Sequence, residues 1–222
     1  MLLLQFSTSH YCRKVRLALG YKQIPYRVEN LTPGLHILKI RPLTGSTTTP
    51  VLMPEDPNHA KAIGDSTRII EFLETLQPNP PLSWTSMAEQ AWILEDWLDE
   101  SIGTAARFVY YDYRAGVGQS LDPSWSSRLV IQTVRWQYGI TSATAALARE
   151  RLTRALQTIR NHWQQDEYWF GSKLSVVDLT AAALLTPLLR IPFYLETYPW
   201  LVDQIRKIHA LCQEALPWGL DP

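Results

Sequence analysis

Phe6-Ser-Thr-Ser-His-Tyr-Cys-Arg-Lys-Val-Arg16 decides how the rest of the chain is read. The apolar run Leu2-Leu3-Leu4 leads into it, and Val15, Leu17 and Leu19 lead out at helical spacing. The pattern predicts a short buried strand, a polar turn and a helix beginning near Ser9 or His10. The first turn of such a helix leaves backbone N–H groups without intrahelical partners. With the helix dipole, these favour negative charge in front of the turn by about 0.3–1 kcal/mol. Ser9 and Cys12 both lie close to that point.

Composition narrows the function classes. Of 222 residues, 46% are hydrophobic and 19% charged, as expected of a globular chain of one large or two modest units. Lys+Arg and Asp+Glu both number 21, so no basic excess points to nucleic acid. The leading apolar run is too short for a membrane span or a signal peptide. Two cysteines, Cys12 and Cys212, make neither a disulfide framework nor a metal knuckle, which fits a reducing cytoplasm. Nine Trp and ten Tyr suggest a pocket that accepts flat or apolar molecules.

Outward from the opening motif, 26–30 alternates as a second strand after Pro25. A short helix is expected from about Leu31 to Arg41, ending before Pro42. Thr44–Thr49 reads as a hydroxylated loop, Pro50–Met53 as a third strand and Ala60–Ile63 as its antiparallel neighbour. Ile69, Ile70, Phe72, Leu73 and Leu76 then recur at helical spacing, with Asp65 or Ser66 placed to cap. The prolines of Gln77–Trp84 mark the clearest boundary.

Beyond it only helical patterns follow. Met87 to about Tyr113 forms one long stretch, broken by Gly116 and Gly118. Asp122-Pro123 predicts a cap and the first residue of a second helix. A third runs from near Ser142 to Gln165, with Leu147, Leu152, Leu156 and Ile159 spaced for burial. Ser175-x-x-Asp178 has the spacing of a capping box, flanked by Leu174 and Leu179 as its staple. The helix it opens, Val176 to about Leu189, is apolar nearly all round and should lie at the centre of a bundle. A last helix opens at Tyr198-Pro199 and ends near Leu216. Lys14 and Arg16 are expected to have exposed heads or partners within the first unit.

In this order, four motifs resemble the cytosolic glutathione transferase superfamily: Ser9–Arg16 after the first strand, Thr49-Pro50-Val51-Leu52, Asp65-Ser66, and Ser175-x-x-Asp178. The resemblance implies an α/β thioredoxin-like first domain (1–77), a linker (78–84) and an all-α helical bundle (85–222). It implies a cytoplasmic homodimer that uses glutathione as co-substrate and no metal, with no nucleic-acid or membrane partner. By the same likeness the Thr49–Pro50 peptide is cis, and the backbone of Thr49 pairs with the cysteinyl part of glutathione. Ser66 then meets the γ-glutamyl carboxylate and Asp65 the amine, with helix capping as the plain alternative for both. Ser9 falls at the catalytic place, with Ser7, Tyr11 and Cys12 as rivals. Cys12 is expected to be buried. His10 replaces the proline of many relatives and reads as a surface or substrate-side residue. Arg107, Tyr110, Tyr111 and Tyr113 are candidates to line the second-substrate cleft, with ordinary packing as the alternative. The expected reaction is attack of the glutathione thiol on an apolar or aromatic electrophile. A thiol transferase using Cys12 and a non-enzymatic partner protein are the other readings.

Overall fold

A computed structural model describes residues 1–84 and 86–217 of the chain. The outer limits expected for the helical bundle, 85 and 222, lie outside the described residues. The first part alternates β1 (Leu2–Gln5), α1 (His10–Tyr21), β2 (Arg27–Asn30), α2 (His36–Thr44), β3 (Val51–Met53), β4 (Ile63–Gly64) and α3 (Ser66–Leu76). The strands form one sheet in the order β2-β1-β3-β4. β1 and β2 are parallel, as a helical crossover requires, whereas β3 runs antiparallel to both β1 and β4. Side chains alternate across the sheet. Leu3 and Leu52 join the main core, while Leu4 and Val51 pack with Ile40 of α2 on the opposite face.

The remainder is helical. α4 (Ala88–Asp96) continues through a π-helical segment, Trp97–Gly103, into α5 (Thr104–Ala115). A 3-10 turn at Val117–Leu121 precedes α6 (Trp125–Tyr138) and α7 (Ser142–Gln165). α8 (Val176–Leu185) runs into a second 3-10 turn, Thr186–Arg190, followed by α9 (Pro192–Thr197) and α10 (Pro199–Leu211). Every residue of α8 is buried, and the Ser175–Asp178 capping box is formed in both directions. One continuous apolar cluster runs from Leu3 to Cys212, so the two parts share a core. The close approach of the chain end to α1 requires Gly20, because a Cβ there would lie 1.8 Å from the Cys212 carbonyl oxygen.

Several local expectations shift. α2 begins at His36 and runs through Pro42, not up to it. Most of the helix is exposed, so solvent can satisfy the carbonyl left by the missing N–H. β4 is shorter and later than 60–63: the exposed loop from Glu55, where φ is +62°, returns beside β3 only at Ile63. The α6 cap is Ser124, whose hydroxyl accepts from Ser127 N at 3.2 Å, so Pro123 precedes the helix rather than opening it. α10 stops at Leu211 because Gln213 adopts φ +54° and turns the chain back over α1. α9 and the π-helical segment are unannounced by any periodicity.

The proline-rich stretch is pinned rather than loose. The buried Lys22 ammonium donates to the Gln77 carbonyl (2.7 Å) and the Pro80 carbonyl (3.0 Å), and pairs with Glu74. Glu74 in turn accepts from Leu82 N and Ser83 N, and Leu82 O accepts from Val176 N at 2.7 Å.

Candidate functional site

The antiparallel register brings three of the motifs to one end of the sheet. Leu4 is opposite Val51 and Val51 opposite Gly64, so Phe6–Ser9, Thr49–Pro50 and Asp65–Ser66 leave their strands side by side. Thr49–Pro50 is a cis peptide.

Ser9 is the cap of α1, in extended conformation, and its hydroxyl accepts from Cys12 N at 3.3 Å. The N–H groups of His10 and Tyr11 have no acceptor among the described residues, and the Ser9 hydroxyl also lies against the Cys12 sulfur. Cys12 is fully buried, with the Ser9 and Thr49 hydroxyls and the Phe6 backbone N–H around its sulfur. Burial pushes its thiol above the ordinary range despite those hydrogen bonds. Ser7 is exposed.

Asp65 caps α3 from a left-handed backbone (φ +76°), with Oδ1 accepting from Thr67 N (3.0 Å) and Arg68 N (3.1 Å). Ser66 is buried to 2% exposure, and its hydroxyl has no partner among the described residues. Asp65 also borders a groove of about 590 Å³, formed with Thr44, Ser46, Thr48, Ile63 and Arg68, which none of the other sequence-predicted residues line.

Tyr11 is committed elsewhere. Its hydroxyl donates to the Asp99 carbonyl at 2.8 Å, and burial pushes its pKa up to about 12. The fit depends on Gly103, where a Cβ would stand 2.9 Å from that hydroxyl oxygen. His10 is not a surface residue. It packs against Tyr11, with ring centroids 4.5 Å apart, and only 8% of it is exposed. Burial first, then the Arg107 charge, lower its pKa to about 3, so the ring is neutral, and its Nε2 has no partner.

Arg107 reaches this corner from α5. Its guanidinium lies 5.0 Å from the Tyr11 ring centre and 4.4 Å from that of Tyr138. Tyr111 is mostly buried nearby, edge-on to Tyr110, whose hydroxyl accepts from Arg114 at 3.1 Å. Tyr113 packs on Gly118 instead. The arrangement therefore gathers His10, Tyr11, Arg107, Tyr111 and Tyr138 beside the α1 amino end. The periodicity of α6 carried no sign of Tyr138.

Lys14 departs furthest from expectation. It is fully buried and bridges to the helical part, pairing with Glu95 and Asp99 and donating to Thr67 Oγ1 at 3.1 Å. Arg16 is also buried, held by Gln5 (2.6 Å) and by Glu214 (2.8 Å) near the chain end.

Residues 3–81 match the family model described as glutathione S-transferase, N-terminal domain. The match covers the sheet-bearing first part of the chain, and over its whole length the chain shares its fold with solved glutathione S-transferases. A glutathione S-transferase from Rhodospirillum rubrum F11 superposes with TM-score 0.73 at 19% identity, covering 100% of this chain and 95% of that one. FzlA from C. crescentus gives TM-score 0.69 at 22% identity, with coverage of 100% and 95%. A glutathione S-transferase from Methylobacterium radiotolerans JCM 2831, in complex with glutathione sulfonate, gives 0.71 at 19% identity, with coverage of 98% and 95%. No curated protein sequence matches the chain. The mixed four-stranded sheet followed by a helical region is the architecture expected from the four motifs. Among the described residues no helix is long and apolar enough to cross a membrane, and no group of three or more His, Cys, Asp or Glu side chains is placed to hold a metal ion.

Proposed function

We propose that the protein binds glutathione at the shared end of the sheet and activates its thiol for attack on a small electrophile. The observation that carries this reading is the register that sets Ser9, Thr49 and Asp65–Ser66 side by side. The backbone of Thr49 pairs with the cysteinyl unit. The Ser66 hydroxyl and N–H take the γ-glutamyl carboxylate, and the free oxygen of Asp65 takes the amine. The thiol then lies before the first turn of α1, where the unengaged N–H groups and the Ser9 hydroxyl stabilise a thiolate. The thiol proton passes to solvent. Sulfur forms a bond to the electrophilic carbon, and the leaving group departs with its bonding pair.

Ser9 is preferred over its rivals because the Tyr11 hydroxyl is already donating and Cys12 is sealed and hard to ionise. The same burial argues against thiol–disulfide exchange through Cys12. The division into 1–77, 78–84 and 85–222, a cytoplasmic location and a homodimer complete the proposal by analogy. Light scattering tests the dimer, and a monomer mass rejects it.

Ser9→Ala should lower conjugation of 1-chloro-2,4-dinitrobenzene by about a hundredfold, the usual consequence of removing one anion-stabilising donor. Calorimetry should still register glutathione, and the lost cap should cost only about 1 kcal/mol of stability. An unchanged rate removes Ser9 from the mechanism. No heat at millimolar glutathione with the parent protein returns the chain to the non-enzymatic partner reading.

A further inference from the structure

Arg107 stands apart from the other buried or half-buried cations around α1. Arg13 donates to the Ala215 carbonyl (3.1 Å) and pairs with Glu214 (3.5 Å). Lys14 is neutralised by Glu95 and Asp99, and Arg114 is held by Tyr110 and Ser127 Oγ. Arg107 lies over the rings of Tyr11 and Tyr138 and has neither an ion pair nor a hydrogen-bond acceptor among the described residues. Two acidic side chains lie near enough to act on Tyr11. Asp99 is engaged by Lys14, and Glu100 makes no ion pair with Arg107. Beside this guanidinium sits His10, buried, with an unpartnered Nε2.

Aromatic contact fixes the plane of a guanidinium while leaving its edge of N–H donors open. That edge matches the two oxygens of a carboxylate. A wholly apolar substrate lying here would strip water from Arg107 and return no hydrogen bonds, which is unfavourable. We propose that the electrophile carries a carboxylate, gripped through both oxygens by Arg107 with His10 alongside, so that this corner selects anionic aromatic or unsaturated acids. The inference rests on the glutathione reading for its chemistry, though the carboxylate site itself does not.

Two aryl chlorides that differ only in charge test it: 4-chloro-3-nitrobenzoate and 4-chloro-3-nitrobenzamide. In each, glutathione sulfur bonds to the ring carbon and chloride leaves with the bonding pair. The parent protein should favour the benzoate in kcat/KM. Arg107→Gln should reduce the benzoate-to-benzamide ratio by roughly ten- to a hundredfold, the scale of charge-assisted hydrogen bonds, and Arg107→Lys should recover part of it. Quenching of intrinsic fluorescence by 4-nitrobenzoate against 4-nitrobenzamide reads the same preference without any reaction. Conjugation of both chlorides without preference, or an equal fall for both in Arg107→Gln at unchanged thermal midpoint, overturns the carboxylate site and leaves glutathione activation standing. Conjugation of neither chloride overturns the glutathione reading. Arg107-dependent quenching by the benzoate would then keep the carboxylate site, and its absence would remove that too.

Discussion

Asp178 and Arg107 are charged side chains held within the helical part, and the fold treats them in opposite ways. Asp178 is fully buried and accepts from Trp163 Nε1 (2.7 Å), Trp169 N (2.8 Å), Ser175 N (3.0 Å) and the Ser175 hydroxyl. Both carboxylate oxygens are engaged, and the result is a rigid join between the end of α7, the connecting loop and the start of α8. Arg107 instead lies between aromatic rings, and its donors are left without acceptors among the described residues. A saturated polar group holds a fold together. One that is oriented and unsaturated is available to something else. Lys14 belongs with Asp178, whereas Ser66 belongs with Arg107.

The largest effect expected from breaking a saturated group is at Lys14. Lys14→Met leaves the Glu95 and Asp99 carboxylates buried without their cation, and should cost about 3–5 kcal/mol near neutral pH. Burial already holds both carboxyls above the ordinary range, outweighing the pull of Lys14. The folded protein therefore binds their protons more tightly than the unfolded chain does. Stability from this source is complete below the unfolded carboxylate pKa and declines as pH rises through the folded values. Without Lys14 those values climb further, so the decline deepens. Urea midpoints taken between roughly pH 4 and 8 should show the penalty growing with pH. An equal penalty across that range would mean that the carboxylates do not titrate with folding.

Asp178→Asn comes next. The amide keeps the shape but presents an NH2 where at least one donor expects an oxygen. The loss should be about 2–3 kcal/mol, the value of a charge-assisted hydrogen bond plus a stranded N–H. Denaturant unfolding measures it. If the contrast with Arg107 holds, folded Asp178→Asn retains the parent's glutathione conjugation rate. A fall in rate as large as that of Ser9→Ala would blur the two categories.

The boundary between what was readable in the sequence and what was not follows the same contrast. The Ser9 cap, the Asp65 turn and the Ser175–Asp178 box were legible because each is completed within a few residues of chain. Both ends of α7, Ser142 and Gln165, were legible from the helical period, and the structure adds Thr141 as the cap. The burial of Lys14 and of His10 was not. Each depends on residues about 80 to 100 positions away in α4, the π-helical segment and α5. Arg107 was a candidate for the cleft, with ordinary packing as the alternative, and its lack of an acceptor is visible only once its neighbours are in place.

The smallest effect tests how side-chain size misleads a periodic reading. Leu147 was expected in the core of α7, yet it is 65% exposed. The buried stripe runs instead through Ala145, Ala148, Leu152, Leu156, Ile159 and Trp163, at steps of three and four, with Ala155 beside Leu156. Its first two members are alanines, both buried, so the large residue between them catches the eye while the small ones face the core. Leu147→Gln should therefore change stability by no more than about 0.5 kcal/mol, because glutamine is nearly as good a helix former and little apolar area is lost. Ala148→Leu, one position along, should cost about 1–3 kcal/mol by forcing the helices apart. Paired urea titrations decide it: a larger loss at Leu147 than at Ala148 would mean that the exposed leucine is covered in solution by another surface, such as a second copy of the chain.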